Sequence, residues 1–448
     1  MKRNAALIIL LCGISLSAQQ LQLNKQGYFH MNGLDVTVFS DYYPEGHQSG
    51  VTIIQHGTRV AANGDIRLEP SPGQWSPVPA AGDRITDTVA QRISQTMWYP
   101  DSGRMHRGHN PLVYPDLAVT YHIHVTALEG NSFRVTVDLE KPLPEAWVGK
   151  VGFNLELFPG DLFGKSYLMD GATGFFPDQP VGPMEEFNGE PITVPLDTGS
   201  ALVVAPGEPL QRMTIHSHGS PLELRDGRSN HNNGWYIVRS IIPEGATRSA
   251  VHWTITPHVV KGWSYSPVIQ VSQLGYHPDQ QKKAVLEMDR NDRPSAEFEL
   301  FRLGEQGMEP VFSGRPVQWG KFLRYQYAIL DFSGVSTPGI YRLRYRDQLS
   351  NPFRIAEDVY EKNAWQPTLE YYLPVQMCHM RVNEKYRVWH DLCHADDALM
   401  APSGIHHFDG YRQGPENYTP YEPLQPVPGL NLGGWHDAGD YDLRVESQ

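Results

Sequence analysis

Between Gln19 and Ser266 apolar residues recur at every second position in short runs cut by turn residues, and no long stretch shows helical spacing. Phe133, Val135, Val137 and Leu139 alternate with Arg134, Thr136, Asp138 and Glu140, the mark of a strand with one dry and one wet face. Val151 to Phe158 reads as another strand, stopped by Pro159-Gly160. Asn63-Gly64, between Thr58-Arg59-Val60 and Ile66-Arg67-Leu68, has the chemistry of a tight hairpin that needs positive φ. The 41 glycines and 36 prolines, about 17% of the chain against an average near 12%, favour short strands and turns over long helices. The expectation is a mainly β protein whose residues 19–266 form a β-sandwich of two packed sheets. His216, His218 and His231, close to Asn232 and Asn233, suggest a metal site, but no carboxylate or cysteine accompanies them at a recurrent ligand spacing. They read better as polar strand faces and loops.

The 448 residues imply roughly three domains at about 150 residues each. A formal net charge of −13 opposes nucleic acid and anionic lipid as partners. The chain starts Met1-Lys2-Arg3, continues through an apolar run from Ala5 to Ile14, and reaches small residues at Ser15, Ser17 and Ala18. A basic start, about ten apolar residues and a small-residue exit make residues 1–18 a signal peptide, too short to span a bilayer. Export is therefore expected, to the periplasm, the cell surface or the medium, without membrane insertion. Cys12 lies in that segment; only Cys378 and Cys393 remain after cleavage, where disulfides are permitted.

A second β unit is expected over 267–356. Val268-Ile269-Gln270-Val271 opens it, and Tyr341, Leu343 and Tyr345 alternate with Arg342, Arg344 and Arg346 near its end. Gln273-Leu274-Gly275-Tyr276 with Pro278, the stretch Thr337-Pro338-Gly339-Ile340-Tyr341 and the exit Phe353-Arg354-Ile355 together resemble the immunoglobulin-like domain that precedes the catalytic domain in many members of glycoside hydrolase family 9. Beyond Ala356 the texture changes. Asp358 and Glu361 are spaced as a capping box, and Val359, Ala364, Trp365, Leu369, Tyr372 and Leu373 recur at helical spacing, with Pro367 and Pro374 marking breaks or first turns. A further helix is expected from Asp391 to Met400, followed by a loop-rich stretch from Gly404 to Gly429 with five prolines.

The densest chemical signal is Gly433-Gly434-Trp435-His436-Asp437-Ala438-Gly439-Asp440. Two carboxylates three positions apart in glycine-rich backbone can turn toward one water. Alone, the segment reads better as a solvated acidic turn or a calcium loop, although Asp437, Asp440 and Asp442 do not fit an EF-hand ladder. These eight positions resemble the signature of the base region of family 9. The resemblance implies inverting hydrolysis of β-1,4-glucans or related polysaccharides, with Asp440 as general base and Asp437 holding the attacking water. Inversion places the acid and base carboxyl groups about 6.5–9.5 Å apart, so these two aspartates are one half of the machinery. In family members the other half is a glutamic acid far downstream. The family's catalytic domain is a barrel of twelve helices, which needs roughly 180 residues. From Asp358 only 91 residues remain, so residues 357–448 are expected to be the first helices of an incomplete (α/α)6 barrel, inactive without that acid.

Cys378, Cys393 and His394 form a second constellation: a disulfide, two buried thiols, or three of the four N/S ligands a structural zinc needs. Relatives with the immunoglobulin-like domain show a similar Cys…Cys-His arrangement together with His before the first aspartate of the motif, which implies His436 as the fourth ligand, ahead of His379, His390, His406 or His407. Zinc is favoured over the disulfide; no cofactor is needed for the chemistry itself. Trp435, with Phe408, Tyr411, Tyr418 and Tyr421, can stack on sugar rings or simply anchor a long loop. The function expected is thus an exported family 9 glycoside hydrolase acting on a β-glucan; the competing reading is a secreted carbohydrate-binding or scaffolding β-sandwich protein without catalysis.

Overall fold

The computed structural model describes residues 20–43, 48–69, 79–99, 118–180, 184–187, 190–229, 234–369, 383–384, 387–388, 398–400, 420–429 and 436. The chain divides at Ser264 and Tyr265 into two compact units.

Among the described residues, the first unit carries two nine-stranded antiparallel sheets. At the heart of one, Val151–Leu157 lies between Thr58–Leu68 and Tyr236–Ile241. At the heart of the other, Phe133–Leu139 lies between Val119–Ala127 and Val251–Pro257. The alternation in Phe133–Leu139 becomes alternating burial, with Phe133, Val135 and Val137 fully enclosed. Residues from both sheets share one apolar core, in which the Phe153 and Trp253 rings meet edge to face at 5.0 Å. Each fully buried Val, Leu or Phe contributes about 1.5–3 kcal/mol.

The unit also buries charge. Arg239 is almost fully enclosed; its guanidinium donates to Glu69 at 2.7 Å, the Asn154 side-chain oxygen at 3.2 Å and the Lys150 carbonyl at 2.8 Å. Burial lowers its pKa despite the Glu69 carboxylate. Buried Asp65 accepts from the Tyr121 hydroxyl at 2.8 Å and the Ile66 amide at 2.7 Å.

Asn63-Gly64 is not a hairpin. Thr58–Leu68 is one continuous strand, and Asn63, at φ 55°, sits in a bulge where the register against Gln48–Gln55 slips between Val51 and Ile53. The hairpin turn lies upstream, at His56 (φ 50°) and Gly57 (φ 79°), between the paired residues Gln55 and Thr58.

The second unit begins with a smaller sandwich. Its four-stranded sheet runs Val268–Gln270, Lys283–Asp289, Tyr325–Asp331, Val317–Phe322. The facing sheet has five strands: Gly307–Gly314, Phe298–Gly304, Gly339–Tyr345 and Gln348–Leu349, with Phe353–Ile355 also paired to Gly339–Tyr345. Leu286, Met288, Ala328 and Leu330 from the first sheet pack with Phe298, Leu300, Leu343 and Tyr345 from the second. Tyr276 lies beside them, with its ring 5.1 Å from Phe332 and 5.3 Å from Phe353.

Beyond Ile355 the helical expectation is corrected in two places. Residues 357–361 form a turn in which the Glu361 amide bonds the Asp358 carbonyl at 3.1 Å, and the Asp358 side chain accepts from Arg354 instead of capping a helix. Helix begins only at residue 366, with Pro367 in its first turn, where a missing N–H costs nothing. The helix expected from Asp391 does not extend to Met400: Leu399 forms an antiparallel bridge with Pro426. Residues 391–397 lie outside the described residues. Among the described residues no helix is long and apolar enough to cross a membrane.

Candidate active site

The chain reaches the candidate site through a constrained exit from the small sandwich. Gly275 holds φ 102°, and a Cβ built there would stand 2.4 Å from the Arg354 carbonyl oxygen. That same oxygen accepts the Tyr276 amide at 2.8 Å, and the Ala356 amide returns to the Tyr276 carbonyl at 3.1 Å. The Tyr276 hydroxyl donates to the Lys283 carbonyl at 2.9 Å and accepts from the Ser272 amide at 3.1 Å. The Gly-Tyr pair thereby ties both ends of the domain together. Past it, Val359 is buried and the Tyr360 hydroxyl bonds the Gln280 side chain at 2.7 Å.

Two described stretches flank the predicted site. Ala398–Met400 follows Cys393-His394 by a few residues, and 420–429 precedes Gly433. They are clamped to each other: Met400 N–H bonds Gln425 O at 2.8 Å, Leu424 N–H bonds Met400 O at 2.7 Å, and Val427 N–H bonds Ala398 O at 2.9 Å.

His436 is buried, 3% exposed. Trp435, Asp437, Asp440, Cys378, Cys393 and His394 lie outside the described residues, as do His379, His390, His406, His407, Phe408, Tyr411 and Tyr418. Tyr421 is half-buried in the turn before the motif. Among the described residues no group of three or more His, Cys, Asp or Glu side chains is arranged to hold a metal.

His216 and His218 lie at the end of strand Met213–Ser217, exposed, while His231 lies outside the described residues. The His218 ring bonds Thr254 Oγ1 at 2.9 Å and sits 4.6 Å from the His252 ring. A second histidine pair, His122 and His124 on strand Val119–Ala127 of the same sheet, had no signal of its own in the sequence. His124 bonds Ser94 Oγ at 2.7 Å and stacks 6.3 Å from His122, which contacts Thr96 Oγ1 at 3.0 Å. Burial lowers the His124 pKa, against the pull of Asp138. This row satisfies its hydrogen bonds locally and is a polar strand face.

Residues 264–350 match the family model described as the cellulase N-terminal ig-like domain. A xyloglucan-specific endo-beta-1,4-glucanase of Bacteroides ovatus is 31% identical over 183 residues, which is 40% of this chain and 27% of that protein. Among solved structures, a Bacteroides ovatus GH9 protein is 28% identical over 39% of this chain and 28% of its own, with a TM-score of 0.27. A Zn-binding triple mutant of the GH family 9 endoglucanase J30 is 28% identical over 37% of this chain and 27% of its own, with a TM-score of 0.26. The chain thus spans about a quarter of the length of the relatives it matches. Residues 264–350 are accordingly an immunoglobulin-like domain of the kind found in cellulases, and 40% of the chain is similar to a family 9 endoglucanase.

Proposed function

We propose that this chain belongs to an exported enzyme that hydrolyses β-1,4-glucan or a related polysaccharide with inversion. The observation that carries this reading is the order of two independent signals: a cellulase-type immunoglobulin-like domain at 264–350, then Gly433-Gly434-Trp435-His436-Asp437-Ala438-Gly439-Asp440. Asp440, ionised, takes the proton of the attacking water as general base. Asp437 accepts the second hydrogen of that water and aims its lone pair at the anomeric carbon, and Trp435 offers its ring to a sugar face. The acid that protonates the leaving oxygen stands about 6.5–9.5 Å from the base, far enough to admit the water, and is neither of these aspartates.

Cys378, Cys393, His394 and His436 supply two thiolates and two imidazoles, a donor set that suits tetrahedral zinc. Burial of His436 and the clamp between 398–400 and 420–429 favour such a centre. Zinc there would be structural: it would fix the backbone next to Asp437, and the hydrolytic proton transfers need no metal.

The test is an active form of the protein, one that contains its catalytic acid, assayed on xyloglucan and soluble cellulose derivatives with product anomers followed by NMR. The expected result is release of the α-anomer, and a fall in kcat of about 10²–10⁴ for Asp440→Asn with KM little changed. Full turnover by that variant, or release of the β-anomer, overturns the assignment.

A further inference from the structure

The histidines on the outer face of the sheet built around Phe133–Leu139 stand in two different situations. His122 and His124 face partners on both ring nitrogens. His122 reaches Thr96 Oγ1 at 3.0 Å and Glu140 at 3.6 Å; His124 reaches Ser94 Oγ at 2.7 Å and Asp138 at 3.8 Å. No lone pair is left there for a ligand.

His218 and His252 differ. Strands Met213–Ser217 and Val251–Pro257 pair with Ser217 opposite Trp253, so the register carries on to set His218 opposite His252, and the His218 amide donates to the His252 carbonyl at 2.8 Å. Val251 and Trp253 are buried, which turns His252 outward beside the exposed His218. Among the described residues the two rings share a single hydrogen bond to the protein, between His218 Nε2 and Thr254 Oγ1 at 2.9 Å. The other three ring nitrogens make none.

The spacing of the rings is that of a chelate. Two imidazoles on one ion, with Zn–N bonds of about 2.0–2.1 Å and an angle of about 90–109° between them, hold their ring centres about 4.5–5.2 Å apart. The His218 and His252 centres are 4.6 Å apart, with the ring planes tilted by 46°. Burial first, then His218 and Arg134, lower the His252 pKa, which favours the neutral form of the ring. We propose that His218 and His252 form a two-histidine site for a divalent transition ion of the zinc class, with His218 ligating through Nδ1 while its Nε2–H is held by Thr254 Oγ1. A ligating imidazole gives its second N–H to an outer acceptor, and the threonine hydroxyl fills that role. Two protein ligands leave the remaining positions to water, so the ion is exchangeable, unlike one in a closed four-ligand centre. The site is distinct from Cys378, Cys393, His394 and His436 and rests neither on that set nor on the family 9 reading.

The experiment titrates Zn²⁺ and Ni²⁺ into the full chain by calorimetry, with His252→Asn and Thr254→Val as variants and His122→Asn as control. His252→Asn, left with one imidazole, and Thr254→Val, without the outer acceptor, should each bind at this site at least about tenfold more weakly. His122→Asn should match the parent. Melting temperatures without added metal check that the variants fold. Metal held by the C-terminal ligand set is common to all of these proteins and cancels in the comparison. Equal affinity and stoichiometry in the parent and folded His252→Asn overturn the proposal, and unchanged binding by Thr254→Val overturns the assignment of Nδ1. A loss in His122→Asn as large as that in His252→Asn also overturns it, because the histidine face at large would then be collecting the ions.

Discussion

Replacing Gly275 with alanine tests whether the exit from the immunoglobulin-like domain is held as tightly as its geometry implies. Two costs add. At φ 102° an L side chain is strained by about 1–3 kcal/mol wherever it points. The new Cβ would also stand 2.4 Å from the Arg354 carbonyl oxygen, so that oxygen must move. It is the acceptor of the Tyr276 amide, and the Ala356 amide bond to the Tyr276 carbonyl lies beside it; losing one or both costs about 0.5–1.5 kcal/mol each. Gly307 provides the control, for it lies in the same domain at φ 112° with nothing within 4 Å of its Cβ position. Gly307→Ala therefore carries the first cost without the second. The difference between the two variants should be about 0.5–3 kcal/mol, or roughly 2–24 °C in a domain of this size. Scanning calorimetry of the full chain reads it, with the N-terminal unit as an unmoved reference. Equal destabilisation by the two substitutions would refute the close approach at Arg354.

Two further outcomes are expected. Burial outweighs Arg67 and raises the Asp65 pKa, so folded Asp65 holds its proton above the unfolded carboxylate value near 3.9. Its contribution is complete below that value and is lost as pH rises through the raised one; Asp65→Asn, which keeps an acceptor for Tyr121 and Ile66, should therefore lose less stability than the parent between pH 4 and pH 7.5 in urea titrations. Parallel pH profiles would sink this. For the C-terminal ligand set, metal analysis and thiol counting should give about one zinc per chain and two thiols that titrate after chelation. Zinc-free protein without titratable thiols would replace the metal with a Cys378–Cys393 disulfide.

The sequence announced what depends on local chemistry. Alternation in Phe133–Leu139 and Gly339–Tyr345 reads directly as burial on one face, because side chains on a strand point to opposite sides. Strand order was hidden: Val151–Leu157 pairs on both sides with strands distant in sequence, Leu157 with Tyr236 and Val151 with Leu68, and no local pattern encodes that choice. Asn63 misled because positive φ serves a bulge as well as a turn, and only the partner strand decides between them. Asp358 misled because Arg354, four residues back, competes for its carboxylate. In the candidate site the aspartate motif is a sequence signal that lies, His436 apart, outside the described residues, whereas the clamp between Ala398–Met400 and residues 420–429 had no signal, because backbone pairing between segments roughly twenty residues apart leaves no side-chain pattern.

The residues that carry the family resemblance therefore divide by role. Gly275, Tyr276, Tyr341 and Phe353 pack or tie backbone inside the small sandwich, and none of them presents a group that could move a proton to a substrate. Their message concerns fold: a domain whose first turn and last strand are locked together delivers the following chain from a fixed point. Under the proposed function, the aspartate motif more than seventy residues later is the part that does the chemistry. Substitutions in the first set should lower stability and, in an active form, reduce the amount of working enzyme without altering kcat of the folded fraction. Substitutions at Asp437 or Asp440 should lower kcat and leave the melting of the immunoglobulin-like domain untouched. If Tyr276→Phe changed kcat or the product anomer while the domain kept its melting temperature, the lock would have to be read as part of the catalytic apparatus, and this division would fail.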